Sequence, residues 1–223
     1  MIYIAPSLLA ADFANLENEV RRVADAGANY LHLDIMDGAF VPNISFGAPI
    51  VAALRPHSKL IFDVHLMIND PIRYIDDFVK AGADIITVHL ESCRDPERVL
   101  SAIRSREVRC AMAISPATPV EQLIPYLPML DMALIMTVVP GFGGQSLIPE
   151  TLEKVRTVRR YAERSGRKLD IEVDGGLKPE NVALATEAGA NIIVAGSAIF
   201  RAKHPRAVIA EMKQIAEEHP YRP

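Results

Sequence analysis

The chain is expected to fold as a single (β/α)8 barrel, the TIM barrel of the α/β class. Three observations predict it. Apolar strand-like runs alternate with segments of helical period along all 223 residues. Eight such runs occur. Three helix-to-strand joints also repeat one pattern: DAGANYLHLD (25–34), KAGADIITVH (80–89) and EAGANIIVAG (187–196). Each is an Ala-Gly-Ala turn, then Asn or Asp, then a strand, which marks a repeated βα unit and not a solenoid. Eight strands with about eight helices fit this length, near the lower end of barrel sizes. An open doubly wound sheet uses the same repeat and is the alternative. No Ser/Gly linker or charge run marks a boundary, so residues 1–223 are read as one domain.

The strands are read at IYIAP (2–6), YLHLDIM (30–36), LIFDVHLM (60–67), DIITVHL (84–90), RCAMAI (109–114), MALIMTV (132–138), LDIEVD (169–174) and NIIVAG (191–196). Between them lie helical patterns such as 13–27 and 151–166, closed by Gly27 and Gly166 as C-terminal caps. Asn69-Asp70-Pro71 starts another helix, with Pro71 suited to its first turn. The basic residues from Arg156 to Lys168 are interleaved with acids and read as a solvated helix face.

Half of the residues are hydrophobic, which supplies a sizeable core and argues against disorder. The net charge is −4 and no basic block occurs, so no nucleic-acid footprint is present. Two cysteines, Cys93 and Cys110, are too few for a disulfide framework and form no Cys-x-x-Cys pair. The N-terminus lacks a basic n-region, and no apolar run approaches the roughly 18 residues of a bilayer span. A soluble cytoplasmic protein without membrane partners is the expectation.

Strand polarity points to a site. Side chains alternate along a strand, so His32, Asp34 and Met36 share one face while Leu31, Leu33 and Ile35 share the other. Asp63, His65 and Met67 repeat this against Phe62, Val64 and Leu66, and Asp170, Glu172 and Asp174 against Leu169, Ile171 and Val173. In a parallel barrel the oily face meets helices and the polar face points inward. An unpaired inward charge is costly. His32, Asp34, His65 and Asp174 fall toward the C-terminal strand ends, where barrel enzymes build their sites. Two imidazoles and two carboxylates suit a first-row divalent cation. Taken singly, each inward histidine fits a hydrogen-bonded core residue and Met36, Met67 and Met136 fit core filler. Glycines cluster in PGFGGQS (140–146), at Gly175-Gly176 and at Gly196-Ser197, with a helical turn expected at 197–200. Any single pair is better read as a tight turn, but three clusters at one end of a barrel favour a phosphate site built from backbone N–H groups.

These stretches together resemble the ribulose-phosphate 3-epimerase family. The resemblance rests on APSLLAADF (5–13), HLDIMDGAFVPNISFG (32–47), DVHLMI (63–68), AGADIITVHLE (81–91), MTVVPGFGGQ (136–145), EVDGG (172–176) and AGSAIF (195–200). It implies a metal-dependent (β/α)8 enzyme that interconverts D-ribulose 5-phosphate and D-xylulose 5-phosphate. It implies a divalent ion on His32, Asp34, His65 and Asp174, with Asp34 and Asp174 as acid and base. Zinc is the expected ion, and iron, manganese or cobalt also suit the ligands. Ser7 and His65 are implied as substrate contacts, and Met36, Met67 and Met136 as site lining. Gly143, Gly144, Gly175, Gly176, Gly196 and Ser197 are implied to hold the phosphate. A homo-oligomer is expected.

Two positions depart from the family pattern. Val139 stands where Asn is frequent, and Ser115 precedes Pro116 where Asn is common. Val139 borders a substrate loop, so a sister epimerase acting on D-allulose 6-phosphate is the nearest alternative. A metal-free phosphate-binding barrel and a non-catalytic role are the others. Each imidazole needs a partner for its second ring nitrogen; the sequence does not name them, and Glu172, facing the same way as Asp174, is read either as one of them or as a deeper barrel residue.

Overall fold

The computed structural model describes residues 1–222. Eight parallel strands form one sheet in the order β1-β8-β7-β6-β5-β4-β3-β2. They are β1 Tyr3–Pro6, β2 Tyr30–Met36, β3 Ile61–Met67, β4 Ile85–His89, β5 Arg109–Ile114, β6 Met132–Met136, β7 Asp170–Asp174 and β8 Ile192–Ala195. A parallel bridge between Ser7 and His32 joins the two sheet edges and closes the barrel. The open-sheet alternative is thereby set aside.

Helices α1 Leu16–Asp25, α2 Ala48–Leu54, α3 Ile75–Ala81, α4 Pro96–Arg104, α5 Leu152–Arg164, α6 Val182–Ala188, α7 Ser197–Phe200 and α8 Pro205–Glu218 lie between and after the strands. No α-helix separates β5 from β6. Two 3-10 segments, Val120–Gln122 and Ile124–Met129, cover that wall instead. Pro119, Pro125 and Pro128 punctuate this stretch, and proline removes the donors an α-helix needs. Near residue 70, Asp70 takes a left-handed φ of 52°, Pro71–Arg73 forms a 3-10 turn, and α3 begins after it.

The three repeated joints have one construction. The glycine N–H bonds three residues back, from Gly27, Gly82 and Gly189 to Ala24, Val79 and Thr186. The next N–H bonds five back, from Ala28, Ala83 and Ala190 to Val23, Phe78 and Ala185. This is the Schellman closure, and its glycines take φ of 94°, 97° and 114°. At two of the three joints the polar residue that follows stitches the barrel base, while the Asn29 side-chain oxygen at the first joint has no hydrogen-bond partner among the described residues. Asp84 Oδ2 accepts from the Phe62 N–H at 2.7 Å, and Asn191 Oδ1 from the Ile171 N–H at 2.7 Å. Asp131 does the same for Cys110 at the β5–β6 joint, at 2.8 Å.

The outward strand faces make the main core. Leu31, Leu33, Ile35, Phe62, Val64 and Leu66 are buried there against the helices. A smaller interior layer of Ala5, Tyr30, Ile85, Ala111, Met132, Ile192 and Val194 plugs the lower barrel. The basic stretch is only partly solvated. Arg156 and Arg160 pair with Glu153 at the surface. Arg159 instead turns inward, and its Nε donates to the Gly189 carbonyl at 2.9 Å. Its register on α5 places it beside Val155, Val158 and Ala162, on the face that packs toward the strands.

Phe62 has no exposed surface, and the Arg55 guanidinium carbon sits 3.7 Å from its ring centroid. Phe62→Ala is expected to cost about 3–5 kcal/mol, measured by denaturant unfolding.

Candidate metal centre and sugar-phosphate cavity

Register decides what meets inside the barrel. Asp34 pairs with His65 and His32 with Asp63 across β2 and β3, and Met136 pairs with Asp174 across β6 and β7. Asp34, His65 and Asp174 therefore share the upper interior layer. His32 sits one layer deeper than the strand-end position expected for it, and reaches up through its ring.

Four atoms converge. His32 Nε2 lies 3.2 Å from His65 Nδ1, 3.3 Å from Asp34 Oδ1 and 3.8 Å from Asp174 Oδ2. His65 Nδ1 lies 3.2 Å from Asp34 Oδ1 and 4.0 Å from Asp174 Oδ2. All four fall within 4.8 Å of one another. Ligands at ~2.0–2.1 Å around a tetrahedral ion stand about 3.4 Å apart. The donor set and its spacing fit a divalent cation held by His32, Asp34, His65 and Asp174.

The second ring nitrogens are also satisfied. His32 Nδ1 lies 2.7 Å from Asp63 Oδ2, and Asp63 Oδ1 accepts from Thr87 Oγ1 at 3.0 Å. Of the two readings of Glu172, the structure gives the deeper barrel residue: it is fully buried and its nearest oxygen is 3.7 Å from His32 Nδ1, beyond hydrogen-bond reach. Asp63 is the shorter acid and lies directly across the register from His32, so it takes the position. His65 Nε2 meets His89 Nε2 at 2.9 Å, and His89 Nδ1 meets Glu91 Oε2 at 3.1 Å. Asp63 is read from sequence as inward-facing but without a role, and His89 and Glu91 are not singled out there. The signal was there: Thr87, His89 and Glu91 alternate with Val88 and Leu90, as inward residues must.

Charge distribution separates the carboxylates. Burial alone raises Asp34, but His32 and His65 outweigh it and hold the group well below the usual carboxylate range. Ser7 Oγ also donates to its Oδ2 at 2.6 Å. Burial and then the Asp34 charge push Asp174 up to about 7. Burial and then the Asp63 charge push Glu172 well above its ordinary value. Its two oxygens have no hydrogen-bond partner among the described residues, which suits a protonated, neutral acid. Burial opposes a charge on His32, but Asp34 and Asp63 together raise it well above the ordinary imidazole.

Above these groups opens a cavity of ≈ 600 Å³, within the range of small-molecule sites. Every sequence-predicted substrate position except His65 lines it. His32 and His65, with no exposed surface, lie beneath its floor. Met36, Met67 and Met136 are each at most 4% exposed and form an apolar wall. Gly176 takes φ 71°, and a Cβ there would stand 2.2 Å from the Leu147 nitrogen. Only glycine lets the loop after β7 pass under the loop after β6. Gln145 Nε2 donates to the Val139 and Phe142 carbonyls at 2.7 and 2.8 Å, which shapes the glycine loop. The expected helical turn forms as α7. Lys178 and Arg201, not foreseen, add cationic side chains to the lining.

Glu91 gives a pH test. Burial raises its pKa, but hydrogen bonds from His89, Thr118 and the Ser115 N–H outweigh this and lower it to about 2 from 4.5. A depressed acid stabilises the fold above its unfolded pKa and loses that stability as pH falls through the folded value. Acidification from about pH 4.5 to about pH 2 is expected to lower the Tm of the native chain more steeply than that of Glu91→Gln, followed by calorimetry.

Comparison with known proteins identifies the family. Residues 3–200 match the model of the ribulose-phosphate 3 epimerase family. The chain is 49% identical over 221 residues to a ribulose-phosphate 3-epimerase of Synechocystis, covering 98% of this chain and 96% of that one. It is 48% identical over 214 residues to the enzyme of that name from Bacillus subtilis, covering 96% and 99%. Among solved structures, 3-hexulose-6-phosphate synthase from Salmonella typhimurium superposes with a TM-score of 0.73 at 18% identity, covering 98% and 100%. 3-Keto-L-gulonate-6-phosphate decarboxylase from Vibrio cholerae gives 0.71 at 16%, covering 98% of each chain. At such identities these two speak for the fold alone. By sequence over nearly its whole length, the chain belongs to the ribulose-phosphate 3-epimerase family.

Proposed function

We propose that the chain inverts C3 of a ketose phosphate, interconverting D-ribulose 5-phosphate and D-xylulose 5-phosphate. One observation carries the reading: carboxylates from β2 and β7 converge on the floor of a single cavity, with two imidazoles directly beneath them. The names of the relatives supply the substrate.

Inverting C3 requires removal of a proton from one face and its return on the other. Two carboxylates from well-separated strands suit opposite faces. Asp34, held ionised by Ser7 and the imidazoles, starts as the base. Asp174, readier to hold a proton, starts as the acid. The roles exchange in the reverse direction. When bound on His32, Asp34, His65 and Asp174, a divalent cation supplies Lewis-acid stabilisation of charge developing on the ketose oxygens. Zinc is the ion proposed, and iron, manganese and cobalt suit the same donors.

The methionine wall excludes water around the carboxylates. This desolvation supports their basicity against the drain of metal ligation. The glycine loops at Gly143-Gly144, Gly175-Gly176 and Gly196-Ser197 present backbone N–H groups to the phosphate, with Lys178 and Arg201 nearby. A cytoplasmic location and self-association belong to the same proposal. Free thiols at Cys93 and Cys110 and a relative from Oryza sativa named as a cytoplasmic isoform support the first. Among the described residues, no helix is long and apolar enough to cross a membrane.

Proton NMR in D₂O with D-ribulose 5-phosphate and the metal-loaded protein is expected to show D-xylulose 5-phosphate deuterated at C3. No exchange at C3, with D-allulose 6-phosphate exchanging instead, would move the assignment to the six-carbon sugar. Asp34→Asn and Asp174→Asn are each expected to lower kcat by about 10²–10⁴. Met67→Gln is expected to reduce kcat more than it reduces stability, and unchanged turnover would count against the desolvating role of the wall.

A further inference from the structure

The hydrogen bonds behind His65 form a one-way chain. Glu91 Oε1 accepts from the Ser115 backbone N–H at 2.7 Å and from the Thr118 hydroxyl. Its Oε2 faces His89 Nδ1 at 3.1 Å. An ionised carboxylate only accepts, so His89 Nδ1 must carry a proton. The neutral ring then presents a lone pair at Nε2. That lone pair faces His65 Nε2 at 2.9 Å, so His65 must carry its proton there. His65 Nδ1 is left as a lone pair aimed at the four-atom centre. The two ring planes differ by 21° and their centroids stand 5.0 Å apart, which suits an in-plane bond between ring edges. The anchor is itself fixed. Lys154 Nζ donates to the Ser115, Pro116 and Thr118 carbonyls at 3.1, 2.7 and 2.7 Å.

From this geometry we propose that Glu91, acting through His89, sets the tautomer of His65 and so holds its Nδ1 ready to bind the divalent cation. Glu91 and His89 are positioning residues. The loop after β5, which lies outside the cavity, thereby controls a ligand inside the barrel. His32 is served differently, by one carboxylate in direct contact. The inference rests on the metal-site reading above.

Glu91→Gln tests it with little change of shape. The Ser115 N–H can only donate, so the glutamine carbonyl oxygen must face it. The glutamine NH₂ then faces His89 Nδ1 and donates. Both downstream rings are forced into the opposite tautomer, with a proton on His65 Nδ1. Two measurements are made on the full chain, apo and with added Zn²⁺. Nitrogen-15 histidine NMR of the apo protein is expected to show His65 as the Nε2–H tautomer in the native chain and as Nδ1–H in Glu91→Gln. Zn²⁺ affinity, from competition with a chromophoric chelator, is expected to fall about 10–100-fold in Glu91→Gln. In a His89→Phe background the added Glu91→Gln change is expected to have no further effect.

An unchanged His65 tautomer, or Zn²⁺ affinity equal to that of the native chain, would overturn the relay while leaving the metal site standing. An equal loss on adding Glu91→Gln to His89→Phe would also overturn it, since the effect would not pass through His89. Failure of the native chain to bind Zn²⁺ would remove the metal reading and the relay together. Should His89→Phe fail to fold, the tautomer in the Glu91→Gln single variant decides alone.

Discussion

Ionisable groups with almost no contact with solvent fill the upper half of this barrel, and their mutual neutralisation is the constraint on which the site depends. Asp34, Asp63, His32 and His65 are each at most 3% exposed. None could be buried singly without shifting its protonation or unfolding the chain. Together they alternate acid and base across the β2–β3 register, Asp34 beside His65 and His32 beside Asp63. Parallel pairing without a slip is therefore a chemical requirement as well as a packing one. A one-residue shift would turn each charged set toward the helices and each oily set into the cavity.

Strand period made most of this readable in advance. The alternation in LHLDIMDG and LIFDVHLM needs no homologue to interpret, because the helix-facing positions are uniformly aliphatic or aromatic. Helix ends marked by the Ala-Gly-Ala joints were equally legible, since a left-handed turn and a buried cap leave few alternatives to glycine. Depth was not legible. Period assigns a face, but stagger between strands decides the layer, and so His32 was expected nearer the strand end than it lies. For the same reason the period left Glu172 open between a histidine partner and a deeper barrel residue, and did not show that Asp63 serves His32. Strand β4 was read as a strand, but its inward polar positions, Thr87 and His89, escaped notice because they follow an Ile-Ile start that reads as ordinary core. Arg159 was hidden by its basic neighbours, as charge runs do not show which member turns inward. The missing α-helix between β5 and β6 was signalled by its prolines, which counting strands and helices passed over.

The two ends of the barrel are built by different means. Below, side chains such as Asp84, Asp131 and Asn191 bond backbone groups of neighbouring strands, and the interior layer is apolar. Above, the clustered acids and imidazoles are held by other side chains and by loops, as when Lys154 gathers three carbonyls of the loop that holds Glu91. The upper network is thus adjustable by substitutions that leave the strand ladder untouched.

That division bears on how such a scaffold diversifies. Because the base joints carry their own caps and stitches, stability is secured by residues that never meet substrate. A lineage can then rewrite the rim, exchanging ligands or loop lengths, and still fold while the new chemistry is poor. Solved structures of 14–18% identity keep the same barrel, which shows how little of the sequence the fold itself demands.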